Sequence, residues 1–319
     1  MKKILCVLMS CLLFVMAGCS GHSKNLKFGA ADIGGVYYSF ASTFTQLADK
    51  EIDGYTFETK TTAGSVANLR LISDGYIDLA IVQADLLSDA YNATGTFADK
   101  KYQKGYKAVA SLYTECCQIV VRKDSGITGI DDLINKTVSV GASESGTEKN
   151  AEQILKMSGI TDELINKVNM DYTEAAEKLK AGEIDAFFCT AGTRTEVIGQ
   201  LSKECDICLI SLDDKCIDKM LSAYSLCEKY IIPAGTYNGQ DSDVTTIGVK
   251  SVLIAKQSLS DDVIKKVTKT IYEHADDFKY ATSLDISFDI NMAADGVDIP
   301  FHSGAAAYYA EHGINVLTE

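Results

Sequence analysis

Glycine loops recur at matching places in the hydrophobic pattern of the two halves of this sequence. In the first half, Gly34 and Gly35 separate a short apolar segment from residues 37–50, whose apolar positions follow a helical spacing. In the second half, Gly146 separates the apolar residues 137–140 from a similar stretch, residues 148–157. Apolar positions three and four apart predict amphipathic helices, and the short apolar segments before the loops predict strands.

A second repeated segment follows in each half. Residues 75–82 and 182–188 both open with a glycine, continue with an Ile-Asp pair and end in an apolar run. The glycine is typical of a helix C-terminus, and the run is typical of a strand that is covered on both faces. Alternating strands and helices of this kind form parallel α/β sheets. Chance similarity between two strand–helix units is the alternative explanation, because glycine turns are common.

The repeat predicts the fold class, an α/β protein with two related lobes that face each other across a ligand cleft. Two strong strand segments, residues 118–122 and 251–255, enter and leave the second unit, so we expect them to connect the lobes. The first lobe then comprises residues 26–118 and 249–319, and the second lobe comprises residues 119–248.

The cleft is predicted from the position of the loops. Ligands of open parallel sheets bind beyond the C-terminal ends of the strands, at loops that open helices, where free backbone N–H groups attract carboxylate or phosphate. One Gly-Gly loop is commonly only a turn, and one Ser or Thr before a helix is commonly only a cap. Their matching positions in the repeat favour binding. The candidate ligand-binding residues are Gly34, Gly35, Tyr37, Ser65, Asn68, Gln83, Ser145, Gly146, Thr147 and Thr190.

The N-terminus has the build of an export signal. Lys2 and Lys3 precede an apolar run, residues 4–15, which is too short for a comfortable membrane span. The following Val15-Met16-Ala17-Gly18-Cys19 resembles a bacterial lipobox. We therefore expect residues 1–18 to be a lipoprotein signal peptide, Cys19 to carry the lipid anchor, and residues 19–25 to form a polar tether.

Composition excludes some classes of function. The net charge of −14 and the lack of a basic block argue against nucleic acid, because phosphate contacts need Lys and Arg. The sequence lacks the G-x-S-x-G, H-E-x-x-H and phosphate-loop motifs, and it has only four histidines. We therefore predict a protein that is not an enzyme and that needs no cofactor.

Seven cysteines remain after the signal and Cys19 are set aside. Cys205 and Cys208, with Cys216 and Cys227 further on, have a spacing that invites a zinc interpretation, but it is short for a zinc ribbon and lacks a nearby histidine. One disulfide and plain reduced thiols are the other interpretations, and reduced thiols fit the odd count best. No metal site is therefore predicted.

Several stretches that together cover nearly the whole mature chain share motifs with one known family. They include Ile33-Gly34-Gly35-Val36-Tyr37-Tyr38, Ala63-Gly64-Ser65-Val66, Ser145-Gly146-Thr147-Glu148, Pro233-Ala234-Gly235-Thr236-Tyr237 and Pro300-Phe301-His302. In these motifs the sequence resembles the TAXI family, the TRAP-associated extracytoplasmic immunogenic solute-binding proteins. Asp32 and Ile33 depart from the Gly-Thr that the family often has at this place.

The resemblance implies a two-lobed, periplasmic-binding-protein-like (type II) fold, a TRAP-type membrane permease as partner, and a ligand such as glutamate, glutamine or a related C4–C6 dicarboxylate. Taken together, the sequence predicts the extracytoplasmic, lipid-anchored solute-binding subunit of a TRAP-type uptake transporter, which closes its lobes on a small carboxylate. A lipoprotein receptor that senses a ligand and signals through a membrane partner, without transport, is the alternative.

Overall fold

A computed structural model describes residues 23–98, 102, 105–283 and 288–319. The predicted signal peptide and the predicted lipidation site at Cys19 lie outside the described residues. Within the described ranges, no helix is long and apolar enough to cross a membrane.

Strands and helices alternate along most of the chain. The strands are β1 (Lys24–Gly29), β2 (Tyr55–Lys60), β3 (Leu79–Gln83), β4 (Tyr106–Arg122), β5 (Thr137–Ser139), β6 (Asn166–Val168), β7 (Ala186–Ala191), β8 (Ile207–Leu209), β9 (Cys227–Ile232) and β10 (Val244–Lys256). The helices are α1 (Val36–Glu51), α2 (Ser65–Ser73), α3 (Ala84–Asn92), α4 (Gly146–Met157), α5 (Tyr172–Ala181), α6 (Glu196–Glu204), α7 (Asp214–Ala223), α8 (Asp261–Glu273), α9 (Ala275–Thr282) and α10 (Ser303–Glu311).

One mixed sheet runs through the molecule in the order β2-β1-β3-β10-β4-β7-β5-β6, with β8 beside β4 and β9 beside β10. Pairing is parallel at both ends of this order, between β1 and its neighbours β2 and β3, and between β5 and its neighbours β6 and β7. The long central strands β4 and β10 are antiparallel to each other and to the strands beside them. The α/β class is therefore confirmed, with an antiparallel centre that the repeat did not predict.

The two lobes are the two ends of this sheet with their helices. We call β2, β1 and β3 with α1–α3 and α8–α10 the first lobe, and β7, β5 and β6 with α4–α7 the second lobe. β4 belongs to both, because residues 106–116 pair with β10 and residues 116–121 pair with β7. The lobe boundaries predicted from the sequence stay a prediction.

The core explains why the parallel strands lack the alternation of apolar and polar residues that is typical of a half-exposed sheet. All five residues of β3 and all six of β7 are buried, because helices cover both faces. In the first lobe, Phe40 of α1 stacks on Phe278 of α9 with ring centroids 4.4 Å apart. In the second lobe, Ile154 of α4 and Phe188 of β7 belong to a separate apolar cluster. A larger cluster spans both lobes, since it includes Phe40 of α1 as well as Leu179 of α5 and Phe187 of β7.

The predicted glycine turns lie where the sequence places them. Gly75 follows the end of α2 with a φ of 83°, and Gly182 ends α5 with a φ of 73°. Side chains with a Cβ rarely adopt this left-handed region, so a glycine here lets each helix turn directly into the next buried strand.

Candidate functional site

A narrow cleft with a free volume of about 30 Å³ lies where the starts of three helices meet the ends of β3 and β7. Helices α1 and α2 come from the first lobe, and α4 comes from the second. This free volume is enough for about two water molecules, so a solute would need the lobes to separate before it could enter. The cleft therefore lies at the strand ends that the sheet rule predicts.

Eight of the ten candidate ligand-binding residues line this cleft: Gly35, Tyr37, Ser65, Gln83, Ser145, Gly146, Thr147 and Thr190. Gly34 lies just outside it, where it faces Thr173 and Val197 of the second lobe. Asn68 is fully buried and does not line the cleft. Its amide nitrogen donates to the carbonyl oxygens of Ala30 at 2.6 Å and Ile81 at 2.9 Å, so it fixes the backbone behind the cleft.

Glycines precede the two first-lobe helices that open on the cleft. Gly35 stands at the N-cap of α1 and Gly64 at the N-cap of α2, and glycine has no side chain to cap a helix. The first-turn N–H groups of a helix have no intrahelical acceptor. These N–H groups and the positive end of each helix dipole therefore favour an anionic group in the cleft.

The second-lobe helix is capped differently. Ser145 accepts a hydrogen bond from the Glu148 N–H at 2.9 Å. The Thr147 hydroxyl accepts from the Thr190 N–H at 3.1 Å and lies 2.5 Å from the Tyr172 hydroxyl. These side chains fix the start of α4 against β7, so the Gly146 and Thr147 N–H groups are held at the cleft.

Gln83 joins the lobes from the end of β3. Its backbone N–H donates to the Ser65 hydroxyl at 3.1 Å, and its Nε2 donates to Asn150 of α4 at 3.0 Å and to Glu115 at 3.3 Å. Its Oε1 is buried and has no hydrogen-bond partner among the described residues. A buried acceptor without a partner costs free energy, so the cleft offers a site for a donor from a ligand.

Glu115 lines the cleft and is a residue that sequence reasoning missed. It lies in β4, where the strand changes partner from β10 to β7, and only 3% of its surface is exposed. Its Oε2 accepts from the Tyr37 hydroxyl at 2.9 Å and from Gln83. Burial raises the pKa of this carboxyl to about 8, although both hydrogen bonds oppose the rise. An acid inside a long apolar strand was the signal that could have identified it.

Asp32 brings a second carboxyl to the cleft. Burial, together with the nearby charge of Asp171, raises its pKa to about 6, and a hydrogen bond from the Tyr172 backbone opposes the rise. Among the described residues that line the cleft, Asp32 and Glu115 are the only charged side chains, and no Lys, Arg or His is present. The ionisable carboxyls of the cleft are therefore without a basic partner there, and donors for an anion come from the backbone and from the hydroxyl groups that line the cleft.

The lobes touch across the mouth of the cleft. Arg70 of α2 forms an ion pair with Glu144 of the second lobe, with Nη2 and Oε2 2.6 Å apart. The Ala67 N–H also donates to the Glu144 carbonyl at 3.0 Å. Gly146 packs so closely on Gln83 that a Cβ there would lie 2.4 Å from Oε1. The two lobes are therefore in direct contact beside the cleft.

The seven cysteines of the described residues carry free thiols. Cys116, Cys117, Cys189, Cys216 and Cys227 are buried, whereas Cys205 and Cys208 are partly exposed. Burial raises the pKa of the Cys117 thiol and its buried neighbours. Within the described part of the chain, no three His, Cys, Asp or Glu side chains are grouped so as to hold a metal ion.

Comparison with known proteins gives a family and a fold. The model of the NMT1-like family matches residues 28–313. PhnD1 from Prochlorococcus marinus, solved in complex with methylphosphonate, is similar in structure with a TM-score of 0.57 and 12% identity, over 83% of this chain and 93% of that one. A putative L-cystine ABC transporter protein from Listeria monocytogenes has a TM-score of 0.51 and 16% identity, over 82% of this chain and 94% of that one. A binding protein component of an ABC phosphonate transporter from Pseudomonas aeruginosa has a TM-score of 0.53 and 11% identity, over 81% of this chain and 78% of that one.

These similarities confirm the two-lobed fold of periplasmic binding proteins. They correct the TAXI assignment, which is wrong, because the matching family is NMT1-like and two of the three similar structures are named for ABC transporters. The physical reason lies in the motifs that carried the resemblance. Gly34-Gly35 and Ser145-Gly146-Thr147 are loop–helix junctions whose residue types the fold itself requires, so they do not identify one family within it.

Proposed function

This chain belongs to the NMT1-like family, and we propose that it is the extracytoplasmic solute-binding component of an ABC-type uptake system. In this proposal the two lobes close on a small solute that carries a carboxylate, and a lipid on Cys19 holds the protein at the membrane. The ABC-type partner is taken from the similar structures, two of which are named for ABC transporters.

One observation carries the proposal: the starts of three helices from two lobes converge on one cleft that also holds an unpartnered buried acceptor, Gln83 Oε1. Helix starts favour a carboxylate, and the contribution falls off beyond the first turn, so the group must lie close to them. Because α1 and α2 belong to the first lobe and α4 to the second, a ligand contacts all three only in the closed form. Such a ligand shifts the population toward closure.

Thermal unfolding of the mature chain tests the proposal. The panel contains amino acids, hydroxy acids, mono- and dicarboxylates, alkylsulfonates and alkylphosphonates. A ligand present at about 100 times its dissociation constant stabilises the native state by about 2.7 kcal/mol, which is measurable as a higher melting temperature. A shift with carboxylates supports the proposal, and shifts restricted to sulfonates or phosphonates contradict the carboxylate class.

A glycine pair tests whether binding requires closure. In Gly146→Ala the new Cβ lies 2.4–2.8 Å from the Gln83 amide, which is buried and bonded on two sides, so we expect the lobes not to close. Gly199→Ala is the matched control, because a Cβ there meets nothing within 4 Å. Small-angle scattering with the ligand found in the panel is expected to show compaction of the wild type and the control, but not of Gly146→Ala. Equal compaction of all three proteins would contradict lobe closure by this contact.

A further inference from the structure

The charges of the cleft are the reverse of what a dianionic ligand needs. Backbone N–H groups at the starts of α1, α2 and α4 provide for one anionic group. Beyond them, the charged side chains that line the described cleft are Asp32 and Glu115, both acidic. A second carboxylate on the ligand would meet Asp32 and Glu115 without a basic partner, and each of them repels it strongly when ionised in a desolvated site.

Glu115 and Gln83 both line the cleft and both carry acceptor oxygens. Both described hydrogen bonds to the Glu115 carboxyl, from Tyr37 and Gln83, reach Oε2. Gln83 Oε1 is buried, 1% of the residue's surface is exposed, and this oxygen lacks a partner among the described residues. An ammonium group is complementary to such a set, because it has three N–H donors and no acceptor.

We propose that the ligand carries a primary ammonium group that binds Glu115 and Gln83 Oε1, while its carboxylate occupies the helix starts, so the site takes a zwitterionic α-amino acid. This inference rests on the proposed function, because it names the class of solute for the same cleft. Glu115 is the specificity-determining residue: it selects for the amine and against a second carboxylate.

The Tyr37 hydroxyl supports this role of Glu115. A hydroxyl that donates to a carboxylate favours the charged form of the carboxylate, and Gln83 Nε2 acts in the same direction. A cation bound in the cleft offsets the free-energy cost of desolvating the Glu115 carboxylate. The ammonium therefore completes an arrangement that the protein has already oriented.

The first test needs no variant. Binding to the wild-type mature chain is measured by calorimetry for matched acids that differ only at the α-carbon: alanine, lactate and propionate; leucine and 2-hydroxy-4-methylpentanoate; glutamate, 2-hydroxyglutarate and glutarate. Hydrogen bonds to charged groups suggest that loss of the amine weakens binding about ten- to hundredfold. We also expect amino acids with a neutral side chain to bind more tightly than glutamate.

The second test is Glu115→Gln, with the exposed Glu163→Gln as control. The amide keeps the shape of the carboxyl but removes its charge. We expect the same ten- to hundredfold loss for the amino acid and less than a twofold change for its amine-free analogue, with no change for either ligand in the control. The melting temperature of the ligand-free variant checks that it is folded.

The outcomes separate this inference from the proposed function. If an amine-free acid or a dicarboxylate binds as tightly as the matched amino acid, the ammonium site is overturned. That result would mean that protonated Glu115 donates to the ligand. The solute-binding function would remain intact. Lack of binding by every compound overturns the proposed function and this inference together.

Discussion

The charge of Glu115 gives the sharpest prediction for the ligand-free protein. The ordinary pKa of this carboxyl is 4.5, and burial raises it to about 8 in the folded state. Between these two values the folded protein binds more protons than the unfolded chain, so the free energy of unfolding falls as the pH rises. The stabilising contribution is complete below pH 4.5 and is lost by pH 8.

The magnitude follows from the size of the shift. Each pKa unit corresponds to about 1.4 kcal/mol, so ionisation of Glu115 destabilises the fold by up to about 5 kcal/mol at pH 8 and above. Glu115→Gln cannot ionise, and its amide oxygen still accepts hydrogen bonds from Tyr37 and Gln83. We therefore expect the variant to be more stable than the wild type at pH 8.5, by several kcal/mol, and to differ little from it at pH 4.5.

Urea unfolding at pH 4.5, 6.5 and 8.5 measures this difference as a shift in the transition midpoint at constant m-value. Asp32 and Asp85 also have a pKa raised to about 6, but they are present in both proteins, so they largely cancel in the comparison. Glu163→Gln, at an exposed position, is expected to follow the wild type. A stability difference between wild type and Glu115→Gln that does not change with pH would refute the reasoning.

Three further predictions concern the closed cleft and its support. An amino acid that binds near pH 7 is expected to displace up to one proton from Glu115. Calorimetry in buffers of different ionisation enthalpy measures this release, and binding without proton release contradicts the raised pKa of Glu115. Arg70→Ala removes an ion pair that joins the lobes, so we expect ligand affinity to fall about two- to fivefold with little loss of ligand-free stability. Lys265→Ala is the control, because it removes an ion pair within one lobe. Asn68→Ala leaves the carbonyls of Ala30 and Ile81 without their donor and is expected to cost about 1–3 kcal/mol by urea unfolding; unchanged stability would argue against its bracing role.

Local pattern predicted much of the fold and the cleft. The spacing of apolar residues predicted helices over residues 37–50 and 148–157, and α1 and α4 agree within two residues at each end. The loops at helix starts and strand ends predicted eight residues of the cleft wall, because these loops collect at the carboxyl ends of the strands in an α/β sheet. Such features depend on neighbours in sequence, which the sequence displays directly.

The remaining features depend on contacts between distant residues. Asn68 is a polar residue in a helix, and nothing near it in sequence shows that its amide joins two strand ends at Ala30 and Ile81. Glu115 gains its role from Tyr37, 78 residues away, and from Gln83. The antiparallel pairing of β4 with β10 joins segments more than 100 residues apart, so local periodicity carries no record of it.

Glu115 also lies at the position where β4 passes from one lobe to the other, paired with Val249 of β10 beside the first residue that pairs with β7. When two bodies rotate about a shared strand, atoms of that strand travel least, and the starts of α1, α2 and α4, which lie off the strand, travel further. Opening would therefore separate the ligand from the helix starts first and from the pivot last. A bound solute would therefore release its carboxylate end first and its ammonium end last. The position of Glu115 along β4 sets this order.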